Sequence, residues 1–333
     1  MRKYLGYSLI ISFAIFCFSC KTDFNPNATY QDITVVYCLL NQNDSITYIK
    51  INKAFLGDAN AYVMAQNPDS SSYGNNLEVK MEELINTTVS NVFTFDTTTV
   101  YNKEPGIFYA PNQVLYKCIT AHLLDPTKRY RINIKNKLTG KVITSTTTLV
   151  NSFTITAPDP NAYYIDFTKT MKKSILWTSA VNGRRYQAKF RFNYSETNTA
   201  NITTQKYVDW IFPDVKSADL VGNSPMSTDY YGTQFYQVLK SNIPVDPNII
   251  KRTPIIIEMQ ITVAADEFST YLDVNAPTSS IAQVRPEYTN ITNGIGIFSS
   301  RYDNHVDTPV LLNLTAVSTD SLKHGQYTKL LGF

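Results

Sequence analysis

The chain has 333 residues, of which 43% are hydrophobic, 13% are aromatic and only 17% are charged. Charged helix formers are scarce, whereas the β-branched and aromatic residues that suit pleated, half-buried surfaces are plentiful, so the composition favours a mainly β protein. The formal net charge is +3 and the basic residues are scattered along the chain. Because no basic patch stands out, we expect no nucleic-acid partner.

The first segment in chain order, residues 1–19, has the three-part layout of a secretory signal. Arg2 and Lys3 form a short basic region, an almost wholly apolar run extends from Leu5 to Phe18, and a small residue, Ser19, precedes a cysteine. The apolar run is shorter than the roughly 20 residues that a helix needs to cross a bilayer, which disfavours a permanent transmembrane anchor. Removal of this segment takes away two positive charges.

The stretch FCFSC at residues 16–20 resembles the lipobox of bacterial lipoproteins. This resemblance implies that Cys20 receives a diacylglycerol and becomes the acylated first residue of the mature chain. Cys17 stands where leucine is usual, and ordinary signal cleavage is the alternative. Residues 20–28 are then a polar tether, and Lys21 directly after the cysteine implies the outer membrane, with the periplasmic or cell-surface side left open.

Two cysteines, Cys38 and Cys118, remain in the body of the mature chain. Both fall in strand-like runs. In an oxidising compartment an even pair can form a disulfide, which would contribute about 4 kcal/mol for a loop of this length. Two thiols packed as small hydrophobic side chains are the alternative, because the sequence gives no distance between them.

Residues 29–150 show short runs in which apolar and polar residues alternate, separated by Asn, Asp, Gly and Pro. This pattern predicts an antiparallel β-sandwich like an immunoglobulin or fibronectin domain. In NKLTGKV we expect Gly140 to supply the positive φ of a hairpin turn. The strand-like runs are ITVVYCLL, SITYIKINKAF, LEVKMEEL, NVFTFDTTTV, VLYKCITAHL, RYRINIKN and KVITSTTTLV.

Residues 151–333 are expected to form a larger β-rich second domain with a few short helices. Its clearest strand is RRYQAKFRFNY, in which alternate residues from Tyr186 to Tyr194 face the core and those from Arg185 to Asn193 face water. PIIIEMQITVAA is a second strand, and its predicted core face is Ile255, Ile257, Met259, Ile261 and Val263. Helices are predicted over STDYYGTQFYQVLKSN and ADEFSTYLDV.

Motifs that carry chemistry are weak in this sequence. The three histidines are far apart, and neither a zinc-ligand spacing nor a phosphate-binding loop is present, so we expect no metal site, no cofactor and no catalysis. The GxG formed by Gly294 and Gly296 is better explained by a turn or bulge. Candidates for a carboxylate pair are Asp209 with Asp214 and Asp266 with Glu267, although exposed charges and a helix start are the favoured explanation.

Aromatic residues cluster in one part of the second domain. Large amphipathic rings dominate protein interfaces and stack on ligands, so this cluster is a candidate contact surface. Packing in a hydrophobic core is the competing and favoured explanation. The residues concerned are Trp210, Tyr230, Tyr231, Phe235 and Tyr236.

The stretch PEYTNITNGIGIFSSRYDN, residues 286–304, follows the helix-like EFSTYL and resembles the late segment of an uncharacterised family of Bacteroidota outer-membrane lipoproteins. The order of lipobox, early strands and larger second domain is also similar. Members of that family are often encoded beside TonB-dependent receptors. The resemblance therefore implies an accessory role in uptake or envelope assembly, and it assigns no catalytic or binding residue.

Three hypotheses follow from these observations. The first is a lipid-anchored accessory or binding protein that partners an outer-membrane β-barrel receptor, which predicts an exposed apolar patch. The second is a lipoprotein that binds carbohydrate or peptide on its own in an aromatic pocket. The third, and least favoured, is an envelope hydrolase, which requires converging carboxylates or a partnered histidine in a cleft.

Overall fold

The computed structural model describes residues 32–54, 60–277, 287–304 and 309–333. Cys20, the predicted signal and most of the segment before the first strand lie outside the described residues. The strands are β1 Thr34–Leu40, β2 Ile46–Lys53, β3 Leu77–Ile85, β4 Thr88–Val100, β5 Gln113–Ile119, β6 Arg129–Asn136, β7 Val142–Thr148, β8 Ile155–Ala157, β9 Tyr164–Ile165, β10 Lys172–Thr178, β11 Arg185–Asn198, β12 Thr203–Ile211, β13 Val215–Lys216, β14 Pro225–Tyr231, β15 Ile249–Ala264, β16 Gly294–Asp303 and β17 Val310–Leu314. The helices are α1 Ala61–Ala65, α2 Pro68–Ser71, α3 Gln234–Asn242, α4 Asp266–Asn275 and α5 Ala316–His324.

The predicted mainly β fold with a few short helices is confirmed, but an immunoglobulin-like sandwich is not. All seven strand-like runs of the first part are strands, and they are hydrogen-bonded in the order β1-β2-β5-β4-β3-β6-β7. The long strand β4 pairs with β3 through Thr88–Phe95 and with β5 through Asp96–Val100. The first part of β4 thus pairs with β3 and its last part with β5, so the seven strands form one continuous hydrogen-bonded row.

Strand β16, from the last quarter of the chain, joins this first row of strands. Its residues Gly294–Ser300 pair in parallel with Thr34–Leu40 of β1. Just before β16, Thr292 exchanges two backbone hydrogen bonds with Thr144 of β7, the last strand of the row. The row from β16 to β7 therefore closes on itself around its hydrophobic cluster, in which Val36, Ile49 and Met81 are fully buried.

Two glycines permit the close approach of β16 to β1. Gly296 has a φ of +112°, and a Cβ atom placed there would collide with the carbonyl group of Val36. A Cβ atom on Gly294 would lie 2.7 Å from the carbonyl oxygen of Thr34. The GxG pair is thus explained by backbone packing in a parallel strand pair, where glycine fits because it lacks a side chain.

We call strands β1–β7, together with the part of β16 that pairs with β1, the first unit. The remaining strands form a second unit, whose hydrophobic cluster begins along the chain where the cluster of the first unit ends. Leu149 belongs to the first cluster and Val150 to the second, while Ile291 and Phe298 return to the first. In the second unit β15 lies between β11 and β16, and it also pairs with β17. A separate sheet of three strands has the order β14-β10-β8. The division into domains at residue 150 stays a prediction.

Local predictions for the second part are mostly confirmed, with two corrections. The face of β11 from Tyr186 to Tyr194 is buried, and ADEFSTYLDV contains helix α4. Ile255, predicted to lie in the core, is instead exposed, because the pairing of β11 with β15 shifts register between Asn193 and Tyr194. The helix predicted over STDYYGTQFYQVLKSN is confirmed only from Gln234 onward, since its first part is strand β14.

The substitution Gly296→Ala is expected to lower the free energy of unfolding by about 3 kcal/mol or more. The new methyl group would collide with the backbone of Val36, and the positive φ of residue 296 is strained for alanine. Gly106→Ala is the matched control. A Cβ there meets nothing within 4 Å, so its effect should stay within about 0.5 kcal/mol. Urea unfolding of both variants measures the difference, and equal midpoints would contradict the proposed packing constraint.

Candidate interaction surfaces

Four of the five aromatic residues considered as a contact surface are core residues, which was the favoured explanation. Trp210, Tyr230 and Phe235 are buried around Phe167, whose ring stacks on that of Phe235 at 4.3 Å. Tyr236 is buried against Phe235. Tyr231 is the exception, with 46% of its surface exposed. The physical reason is the alternation along β14, which points Tyr230 inward and Tyr231 outward. These residues therefore stabilise the second unit and do not form a shared surface.

Phe235→Ala should lower the free energy of unfolding by about 3–5 kcal/mol, as expected for a large ring removed from a packed core. Tyr231→Ala, its neighbour on the exposed side, should change the same quantity by less than about 0.5 kcal/mol. Denaturant unfolding followed by far-ultraviolet circular dichroism provides the measurement. A small effect of Phe235→Ala would return these rings to the list of surface candidates.

Cys38 and Cys118 are free thiols in the structure, which is the second of the two alternatives that the sequence leaves open. Strand β2 lies between β1, which holds Cys38, and β5, which holds Cys118. Two strands separated by a third are about 9–10 Å apart, beyond the Cα separation that a disulfide bridges. Burial raises the pKa of the Cys38 thiol, and burial together with the charge of Asp96 raises the pKa of Cys118.

In the mature chain carrying Cys20→Ser, a thiol reagent should modify Cys118 slowly in the folded state and Cys38 only after unfolding. The reason is that the thiolate is the reactive form, and burial disfavours it at both positions, more completely at Cys38. Mass spectrometry after alkylation counts the modified sites, and Cys118→Ser should abolish the native reaction. A denatured, unreduced chain that takes up no label would instead demonstrate a disulfide.

The outward face of β11 is polar, as its alternation predicts, and the structure shows that it carries a ladder of ion pairs. Asp209 of β12 accepts hydrogen bonds from both Arg191 (2.7 and 2.8 Å) and Lys189 (3.1 Å). Burial works to raise the pKa of the Asp209 carboxyl, but the hydrogen bonds from these two cations outweigh it and hold the pKa below its ordinary value. The Arg191 guanidinium also lies 4.1 Å from the ring of exposed Tyr207. These two cations of the polar face are thus paired with the same carboxylate.

The carboxylates considered as acid pairs are held by other partners. Asp214 accepts hydrogen bonds from Arg185 and Gln187, while Asp209 belongs to the ladder just described. Asp266 pairs with Arg184 at 2.6 Å, and it lies with Glu267 in the first turn of α4. Acidic residues suit that position because the helix dipole is positive there. Each of these carboxylates thus has a structural role.

A polar cluster that the sequence does not reveal lies where the two units meet. Arg301 contacts Asp303 at 3.1 Å and Asp44 at 3.7 Å, and the Asn41 side chain donates to both carboxylates. Thr262 of β15 donates to the second oxygen of Asp303 at 2.6 Å. Burial and the charge of Asp303 raise the pKa of Asp44, against the influence of Arg301. The cluster joins the β1–β2 turn to the second unit.

The sequence could not have indicated this cluster, because Asn41 and Asp303 are separated by 262 positions.

Within residues 32–54, 60–277, 287–304 and 309–333, no group of three or more His, Cys, Asp or Glu side chains is placed to hold a metal ion. In the same part of the chain, no helix is long and apolar enough to cross a membrane. A surface depression of about 560 Å³ is lined by Asp32, Lys141 and Ile295, among others.

The strand register shows that the chain enters the first unit at one end and leaves it at the other. Thr34, at the start of β1, pairs with Lys53 at the end of β2, and the Asp32 side chain accepts hydrogen bonds from Tyr73 and Asn136. We call this end the tether end. At the far end, Leu40 pairs with Ser300, whose hydroxyl accepts a hydrogen bond from the backbone N–H of Val150.

Comparison of the sequence with protein-family models and with curated proteins finds no match for this chain.

Proposed function

We propose that this protein is a lipid-anchored accessory or binding protein of the outer membrane that partners a β-barrel receptor in uptake or envelope assembly. The observation that carries the proposal is the placement of the two chain ends of the first unit. The tether reaches Asp32 at one end, and the second unit begins at Val150 on the opposite end. An anchor at Cys20 would therefore hold the first unit at the membrane and present the second unit away from it.

The contacts between the two units suit such a presenting role. Arg301, Asp303 and Asp44 join the units by charged hydrogen bonds, and β16 pairs with β1 in one unit and with β15 in the other. A strand shared by two units resists bending between them better than a single linker does. The second unit would thus be held in a fixed position relative to the first unit, from which it could contact a receptor.

The lipobox-like stretch at residues 16–20 supports the same proposal. So does the resemblance of residues 286–304 to a family of lipoproteins that are often encoded beside TonB-dependent receptors. In the structure, hydrogen bonds hold residues 290–298 of this segment to the first unit. Asn290 donates to the carbonyl of Phe298 at 2.6 Å and accepts from its N–H at 3.0 Å, while Ser145 donates to the Asn290 carbonyl. The described part of this segment thus closes the first unit.

The test is a pull-down of the tagged full chain from its native membrane in mild detergent, beside the same protein carrying Cys20→Ser. We expect the wild type to fractionate with the outer membrane and to bring a β-barrel receptor with it. Cys20→Ser should leave the membrane fraction, because two or three acyl chains are needed for stable anchoring. Mass spectrometry measures the mass of the lipid-modified N-terminus and identifies the captured proteins.

The outcomes separate the two parts of the proposal. If Cys20→Ser fractionated with the outer membrane as firmly as wild type, the lipid anchor would be wrong. If wild type were anchored but recovered without any receptor, the partner would be wrong and a lipoprotein that binds carbohydrate or peptide on its own would be favoured. Binding of glycan and peptide arrays by the mature chain would then test that alternative.

A further inference from the structure

Five large apolar or aromatic side chains are exposed together at the tether end of the first unit. They come from helix α1 and from the connection between β4 and β5, and each has more than half of its surface exposed. We call them the tether-end patch. Its members are Tyr62, Val63, Tyr101, Ile107 and Phe108.

Hydrogen bonds hold the two parts of this patch together. The Gln66 side chain, at the end of α1, donates to the carbonyls of Gly106 (3.1 Å) and Ile107 (2.5 Å). The N–H of Tyr109 donates to the Ala65 carbonyl at 3.0 Å. These bonds pair backbone carbonyl and N–H groups of the β4–β5 connection with α1. The connection is therefore held in place, and its apolar side chains point outward.

A lysine at the edge of the patch contacts both an aromatic ring and a polar backbone group. The Lys103 ammonium lies 5.6 Å from the centroid of the Phe108 ring and donates a hydrogen bond to the Tyr109 carbonyl at 2.6 Å. Tyrosine rings, apolar tips and a lysine with its stem along apolar surface are the combination found at the boundary between lipid headgroups and acyl chains. The chemistry of the patch therefore matches a membrane surface.

The position of the patch relative to the tether gives the second argument. Residues 21–32 span at most about 40 Å when fully extended, and they arrive at Asp32. The Ala54 N–H, which follows β2 on the way to α1, donates to the Ile33 carbonyl at 2.9 Å. The patch thus lies at the end of the unit where the tether arrives, whereas the far end is a further strand length, about 23 Å, away.

We propose that the tether-end patch inserts into the headgroup region of the membrane to which Cys20 anchors the chain, so that the first unit lies against phospholipid in a defined orientation. The occupant of the patch is the lipid surface itself. This inference rests on the proposed lipid anchor and deepens it, since it adds a second point of membrane contact. Together, the acyl chains and the patch fix which side of the protein faces away from the membrane.

The experiment supplies the anchor independently of Cys20. The chain 21–333, with a hexahistidine tag before Lys21, is bound to vesicles of phosphatidylethanolamine and phosphatidylglycerol that contain a nickel-chelating lipid. A polarity-sensitive dye is attached at Phe108→Cys or, as control, at Leu123→Cys, both in a Cys118→Ser background. Leu123 follows β5 at the far end and is 56% exposed, close to the 51% of Phe108.

We expect the dye at position 108 to show blue-shifted emission and about threefold quenching by a lipid-borne quencher, because it enters the interface. The dye at position 123 should behave as it does in solution. Equal emission and equal quenching at both positions would overturn the patch proposal. The anchor itself would be unaffected by that result, since fractionation of Cys20→Ser decides it separately.

A second measurement uses paired substitutions without a dye. Ile107→Asp with Phe108→Asp should lower partitioning of the untagged chain 21–333 into the same vesicles, without the nickel lipid, by about tenfold, because charges are disfavoured in the interface. Ile119→Asp with Leu123→Asp is the matched control at the far end and should leave partitioning unchanged. Circular dichroism verifies that both proteins are folded. Equal losses in the two variants, or crosslinking of position 108 to a protein and not to lipid in native membranes, would contradict the lipid assignment.

Discussion

The parallel pairing of β1 with β16 is the constraint on which the rest of the structure depends. It joins residues that are 260 positions apart, from Thr34↔Gly294 to Leu40↔Ser300. It is formed only because Gly296 adopts a positive φ against the backbone of Val36, where any Cβ would collide. A parallel pair needs a long crossover, and here strands β2–β15 all lie along the chain between β1 and β16.

Two consequences follow from this strand pair. First, β16 completes the first unit, whose closed row buries a cluster that includes Phe298. Second, β16 continues to Asp303, where it pairs with β15 and carries the carboxylate held by Arg301, Asn41 and Thr262. The two units are therefore joined by backbone pairing and by a charged cluster, and their cores remain separate. This arrangement gives the tether end and the second unit opposite positions, which is the geometric basis of the proposed function.

Burial explains how the aromatic residues are distributed between stability and contact. The second unit uses Phe167, Trp210 and Phe235 in its core, and each ring touches several others. The first unit likewise buries Phe93 and Tyr130, but it exposes Phe108 and Tyr62 together at its tether end. Large rings favour burial wherever a sheet can cover them. A group of exposed apolar side chains on hydrogen-bonded connections is therefore more informative about contact than the aromatic content itself.

The sequence by itself determined the mainly β class, the seven strands of the first part, the core face of β11 and the hairpin glycine Gly140, because these depend on alternation and on turn chemistry between near neighbours. Only the tertiary structure decided the position of β16, the free thiols, the Arg301 cluster and the burial of Trp210 and its neighbours. Each of these depends on which distant strands become adjacent: β2 separates Cys38 from Cys118, and a register shift exposes Ile255. Local periodicity specifies which face of a strand is apolar, but the partner that covers that face is chosen by packing across the whole chain.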